Sequence, residues 1–230
     1  MKTRKSLPKN NECLLRFAIH RGRLLRKKDI NRSIVIDFEG AGRANGASRA
    51  PRPIFLGVLK SGSYCGYFID DRFPQPFLRK AKGALNERIQ ATSLAVLIGA
   101  LVEQAEREDR VILHFSQHEP ELLERYLEDP NLITRLKAVL ADGKPLMEKG
   151  ARKLKNSPAK SRDLASLAGT LVPEIAAQQD TVQVGNLTRS LEKAAARGVW
   201  KETDLRRLQL LLDYNRLDLE MLQKGVRAAR

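Results

Sequence analysis

Ser33-Ile34-Val35-Ile36-Asp37-Phe38-Glu39-Gly40 is a β-branched apolar run that breaks off in two carboxylates. Such a run reads as a buried strand. Side chains alternate along a strand, so Asp37 and Glu39 share one face and Phe38 enters the opposite layer. Their Cα atoms then lie roughly 6.5–7 Å apart. Two carboxylates held ~4 Å apart at an effective dielectric near 20 repel by about 4 kcal/mol. A divalent cation bound by hard oxygen ligands would relieve that repulsion. A strand end entering solvent also carries Asp and Glu in the ordinary way, and the stretch alone leaves both readings open.

The chain around it completes a sheet. Gly40 to Pro53 has loop composition but neither the Gly-Lys-Ser/Thr ending nor the Gly-x-Gly-x-x-Gly spacing of a phosphate-binding loop. It reads as a hairpin connection whose Arg43, Arg49 and Arg52 either meet a phosphate backbone or are plain solvated arginines. Ile54–Lys60 and Tyr64–Asp70 flank Ser61-Gly62-Ser63, a hairpin signal. The first three strands are therefore expected to be antiparallel. From Ala81 to Asp109 the apolar positions Leu85, Ile89, Leu94, Leu97, Ile98, Leu101 and Val102 suggest one long helix. Val111–Phe115 follows as a fourth strand, parallel to the first after that crossover.

Pro120 suits a first helical turn, which puts Glu119 at the junction between the fourth strand and the next helix. Sites in open α/β sheets gather at that edge, although an acid there also simply complements the helix dipole. His114 alternates within its strand and reads as packed rather than catalytic, and His118 is a weak candidate. A helix near Asn131–Leu140 leads into Lys144–Arg162, read as a basic loop or insert. Asp163–Arg197 is Ala-rich and helical, broken by Pro173 and Gly185. No strand is evident after residue 140. The last segment, Glu202–Arg230, is a helix with Leu205, Leu208, Leu212, Leu219, Leu222 and Val226 as its core stripe. Tyr214 and Asp218 are i, i+4 and share one of its faces.

Charge narrows the partner. The chain of 230 residues carries a formal +15, with 42 Lys/Arg against 27 Asp/Glu. Residues 1–32 hold eleven Lys/Arg and two acids, and 144–162 hold seven basic residues and Glu148, so these windows account for the whole excess. Concentrated charge of this kind points to a polyanion, nucleic acid before membrane; solvated basic segments are the bland alternative. Arg152, Lys153 and Lys155 are the candidate contacts in the second window. The organisation expected is a basic arm over 1–32 and one α/β domain over 33–230 with a basic insert near 144–162. No apolar run approaches a membrane span. Cys13 and Cys65 make neither a cysteine zinc cluster nor a disulfide framework, which fits a reducing, cytoplasmic setting.

Taken in order, Ile36-Asp37-Phe38-Glu39, then Leu113-His114-Phe115-Ser116-Gln117-His118-Glu119, then Tyr214-Asn215-Arg216-Leu217-Asp218-Leu219 form a constellation. It resembles the DEDD group of RNase H-like nucleases in its tyrosine-bearing form, and more closely the YprB-like branch. The resemblance covers roughly residues 33–225, and Ser190-Leu191-Glu192-Lys193-Ala194-Ala195 is similar to a segment before the family's last helix. Glu119 departs from the Asp usual in proofreading exonucleases, and the family's fifth strand has no evident counterpart. The resemblance implies an RNase H-like mixed sheet and two divalent ions, Mg²⁺ or Mn²⁺, held by Asp37, Glu39, Glu119 and Asp218. It also implies 3′–5′ hydrolysis of DNA or RNA, with Tyr214 orienting the attacking water. Recruitment by a larger nucleic-acid-processing complex would be in keeping with it. A silent nucleic-acid-binding subunit that keeps the fold, and an architectural binder using only its basic segments, are the alternatives.

Overall fold

Ile34–Gly40 forms β1, the strand on which a six-stranded sheet is assembled. The computed structural model describes residue 25 and residues 27–40, 52–115, 118–155, 163–178 and 183–229. The other strands are β2 (Pro53–Lys60), β3 (Ser63–Phe68), β4 (Ile89–Ala91), β5 (Ile112–His114) and β6 (Leu140–Asp142), in the order β4-β3-β2-β1-β5-β6. β1, β2 and β3 are antiparallel neighbours, as the sequence suggests. Ser61 and Gly62 both take positive φ in the β2–β3 turn, a conformation glycine adopts without a Cβ penalty. β5 runs parallel to β1, β6 parallel to β5, and β4 parallel to β3 at the far edge.

Helices cover both faces, and strand alternation decides which residues meet which helices. On one face Ile34, Ile36, Phe38, Leu56 and Val58 pack with α3 (Leu94–Arg107), α4 (His118–Tyr126) and α5 (Pro130–Val139). On the other, Val35, Phe55, Leu59, Phe68 and Leu113 meet a larger helical layer. It contains α1 (Lys27–Asn31), α2 (Gln75–Leu85), α6 (Lys144–Lys155), α7 (Leu164–Leu171), α8 (Pro173–Ala176), α9 (Val184–Arg197) and α10 (Glu202–Ala228). α10 lies against β1 and β2, burying Leu208, Leu211, Leu212, Leu219 and Leu222. Each such leucine stabilises the fold by about 1.5–3 kcal/mol. Among the described residues no helix is long and apolar enough to cross a membrane.

Five expectations are corrected. The single helix over 81–109 is two helices with β4 between them. Asn86 leaves α2 in the left-handed conformation, and Ile89, assigned above to a helical stripe, pairs with Gly66. Tertiary pairing overrides periodicity there because β3 offers an open edge. The missing strand after residue 140 is β6, three residues long and too short to announce itself.

The basic window is no loop over 144–155. It is α6, amphipathic, with Leu146, Met147 and Ala151 buried and Arg152 and Lys153 exposed; residues 156–162 lie outside the described residues. Gly185 stands in the first turn of α9 rather than breaking a helix, while Pro173 does start α8.

Residues 27–32 belong to the domain rather than to an arm. Ile30 is buried, Arg32 donates to the Glu108 carbonyl at 3.0 Å, and Arg227 donates to that of Asn31 at 3.1 Å.

Candidate metal centre

The site forms where the end of β1 meets the middle of α10. Asp37 and Glu39 follow Val35 on the face that α10 covers, as the alternation requires. On α10, Asn215 and Asp218 interrupt the stripe of buried leucines, so the packing that fixes the helix also carries these two polar groups to the sheet. One carboxylate oxygen each from Asp37, Glu39 and Asp218 lie within 4.8 Å of one another. Residues about 180 positions apart in the chain thus supply one oxygen cluster.

The approach depends on a glycine. Gly57 of β2 is the cross-strand partner of Asp37, and a Cβ there would sit 1.6 Å from Asn215 Oδ1. A side chain at this position would displace the Asn215 amide. Gly66, beside Gly57 on β3, is similarly hemmed in by the Phe55 ring and Leu212.

The electrostatics follow from crowding. Burial, then the charges of Glu39, Asp218 and Glu119, push the Asp37 carboxyl well above its usual range. Glu39 is raised to about 8 by burial and the charge of Asp218, against the lowering effect of hydrogen bonds from Asn215 and Asp37. Asp218 is raised to about 7 by burial, with a hydrogen bond from Tyr214 working the other way. Three acids that resist ionisation together are a donor set suited to a hard divalent cation, whose charge would replace the protons they otherwise hold. The residues therefore fit such an ion.

A scan against models of protein families finds no match, and a search of curated proteins finds none either. The site has to be read from its own chemistry.

The other sequence candidates fall into place unequally. Tyr214 is half-buried and hydrogen-bonded to Asp218; burial, then the charges of Asp218 and Glu39, push its phenol above the usual range. It remains a protonated donor at neutral pH. Glu119, at the start of α4, is 5% exposed but does not join the three-acid set. Its Oε2 lies 3.6 Å from Nδ1 of His114, which is fully buried as expected. Burial alone would raise Glu119; hydrogen bonds from His114 and its own backbone N–H, with the charges of His114 and His118, outweigh this and hold it low. Its charge nevertheless reaches Asp37 and Glu39. The four-acid site expected from sequence is thus three acids in contact and a fourth held at longer range by a histidine.

Arg52 is exposed and lines a cavity of about 260 Å³ with Arg125 and Tyr126. Arg152 and Lys153 stand on the outer side of α6 and, with Pro145, Glu148 and Lys149, line one of about 650 Å³. Lys155 is the last residue of α6. Arg43 and Arg49 lie outside the described residues, as does most of the basic segment before residue 27.

Sequence reasoning missed Asn215, Tyr64 and Gly57. Asn215 is fully buried and its Nδ2 donates to Asp37 Oδ2 at 2.9 Å and to Glu39 Oε1 at 3.3 Å, while its Oδ1 accepts from the Tyr64 hydroxyl at 3.2 Å. The available signals were a polar residue three positions on from Leu212 in an apolar stripe, and a glycine inside a buried strand.

Proposed function

We propose that this protein is a divalent-metal-dependent nuclease of the RNase H-like kind, hydrolysing phosphodiester bonds of DNA or RNA. One observation carries the reading: Asp37 and Glu39 from a central strand meet Asp218 from the last helix within 4.8 Å, with the Tyr214 hydroxyl on Asp218. Supporting it are three antiparallel strands followed by a parallel one after a helical crossover, and a further parallel strand after residue 140. The resemblance in sequence points to Asp37, Glu39, Asp218 and Tyr214 as well, and adds Glu119 as a fourth acid.

Asp37, Glu39 and Asp218 would hold Mg²⁺ or Mn²⁺, and Glu119, paired with His114, would be the candidate ligand for a second ion. Bound ions would supply charge stabilisation for the oxygens that attack and leave in phosphodiester hydrolysis. The chain's own contribution is placement. Tyr214, kept protonated, orients an attacking water rather than taking its proton, since a phenol with a raised pKa is a poor base at neutral pH. The acids repel the substrate phosphate until they are neutralised, so affinity for the polyanion falls to basic side chains elsewhere in the chain: Arg52, Arg152, Lys153 and the basic residues ahead of α1. Attack from the 3′ end, action within a larger nucleic-acid-processing complex and a cytoplasmic setting belong to the same reading.

Incubating 5′-labelled DNA and RNA single strands with the protein and Mg²⁺ or Mn²⁺ tests it. A ladder shortening from the 3′ end is expected, and none in chelator. Asp37→Asn should abolish cleavage while leaving nucleic-acid binding nearly unchanged. Undegraded substrate with either ion, or cleavage by Asp37→Asn at the parental rate, refutes the proposal and favours a silent binding subunit.

A further inference from the structure

Asn215 occupies an unusual position for an uncharged side chain. It sits on a helix, fully buried, between two carboxylates of the opposite strand, and it is held from behind by a tyrosine. Its amide has one possible orientation. With Nδ2 towards the acids it donates to Asp37 Oδ2 and Glu39 Oε1, with the Asp37 carbonyl 3.5 Å away. With Oδ1 away from them it accepts from Tyr64. A flipped amide would face its oxygen to two carboxylates and leave the Tyr64 hydroxyl opposite an N–H₂ group.

Tyr64 is itself fixed. Its ring is buried, and the guanidinium carbon of Arg216 lies 4.9 Å from the ring centroid. Arg216 is anchored in turn by a two-pronged pair with Glu87 at 2.7 and 2.8 Å. The space for the amide is made by Gly57, where even a methyl group would overlap Asn215 Oδ1. Three elements therefore converge on one amide: β2 leaves room for it, β3 orients it and α10 carries it.

We propose that Asn215 is a positioning residue for the metal centre: its amide, oriented by the Tyr64 hydroxyl, fixes the carboxylates of Asp37 and Glu39 so that their remaining oxygens are set for a divalent cation. The inference rests on the nuclease reading only through its cation. Each acid gives one oxygen to Asn215 and keeps another for the ion. Asparagine suits this place because aspartate would add a further negative charge and an apolar residue would leave two carboxylates free to rotate. Groups that orient metal ligands commonly matter for affinity nearly as much as the ligands themselves.

The test is calorimetric titration of Mg²⁺ and Mn²⁺ into the full chain, Asn215→Ala and Tyr64→Phe, with melting of each in chelator. Asn215→Ala should weaken ion binding about 10–100-fold, the range for losing an orienting partner. Tyr64→Phe keeps the ring under Arg216 and removes only the hydroxyl, so its loss should be smaller and in the same direction. A purely structural role predicts lowered melting with parental affinity, and that outcome overturns the inference. Should Asn215→Ala fail to fold, parental affinity in Tyr64→Phe overturns it instead. A parent chain that takes up neither ion refutes the metal centre itself, which separates the two failures.

Discussion

Glu39→Gln should make the protein more stable, provided that no divalent ion is present. Glu39 is raised from an ordinary 4.5 to about 8. The folded state therefore holds a proton that the unfolded state releases between those values. The associated stability is fully present below about pH 4.5 and is lost as pH rises towards 8. One pKa unit corresponds to about 1.4 kcal/mol, so the displacement sets a ceiling near 5 kcal/mol. Because Asp37, Glu39 and Asp218 titrate as a unit, that ceiling belongs to the cluster and is not counted once per residue. A lower bound comes from one pair of charges at 4.8 Å, worth about 3 kcal/mol at an effective dielectric of 20.

Glutamine keeps an oxygen to accept from Asn215, and its amide hydrogens stand in for the shared proton towards Asp37. Neutralising this position should therefore stabilise the ion-free protein by about 3 kcal/mol at pH 8. For a domain of this size that is a rise in melting temperature of roughly 6–12 °C. At pH 4.5 the difference should vanish, because the parent is already protonated. With Mg²⁺ at a hundred times its dissociation constant the parent regains about 2.7 kcal/mol and the variant, short of one ligand, gains less. The assay is thermal melting of both proteins in chelator and in Mg²⁺ across pH 4.5–8. A variant that melts at or below the parent in chelator at pH 8 refutes the picture of mutually repelling acids.

Tyr214→Phe should fold and bind ions normally yet lose about 10²–10⁴-fold in single-turnover cleavage. Asp218→Asn should be partly restored by raised Mn²⁺, whereas Tyr214→Phe should not; the reverse pattern would show that the hydroxyl does not position water. Because α1 packs into the domain, the basic segment is best removed as residues 1–24. If about six phosphates are neutralised, parental affinity should fall roughly 10³-fold between 50 and 200 mM salt. The truncated protein should show a flatter slope, and an unchanged slope assigns binding to the rest of the surface.

Local rules carried much of this protein. The β-branched run into Asp37-Phe38-Glu39 determined a strand with both acids on one face, and the Ser61-Gly62 turn determined a hairpin, because alternation and turn geometry are properties of a few adjacent residues. Pro120 marked the helix start that holds Glu119. The same locality misled at Ile89, whose helical spacing is outweighed by the open edge of β3. At 144–155 a dense run of lysine and arginine hid the buried face of Leu146, Met147 and Ala151.

Only the tertiary structure decided the site. Whether Asp218 reaches Asp37 depends on the crossing of α10 over the sheet, and the seat of the neighbouring Asn215 amide depends on Gly57 being bare. The separation of Glu119 from the other three acids, and its pairing with His114, depend on how α4 leaves the sheet edge. Asn215 reads in sequence as one polar residue on a long helix. It becomes a bridge between two carboxylates because burial removes water as their alternative partner, and no local pattern encodes which groups will be left to satisfy one another.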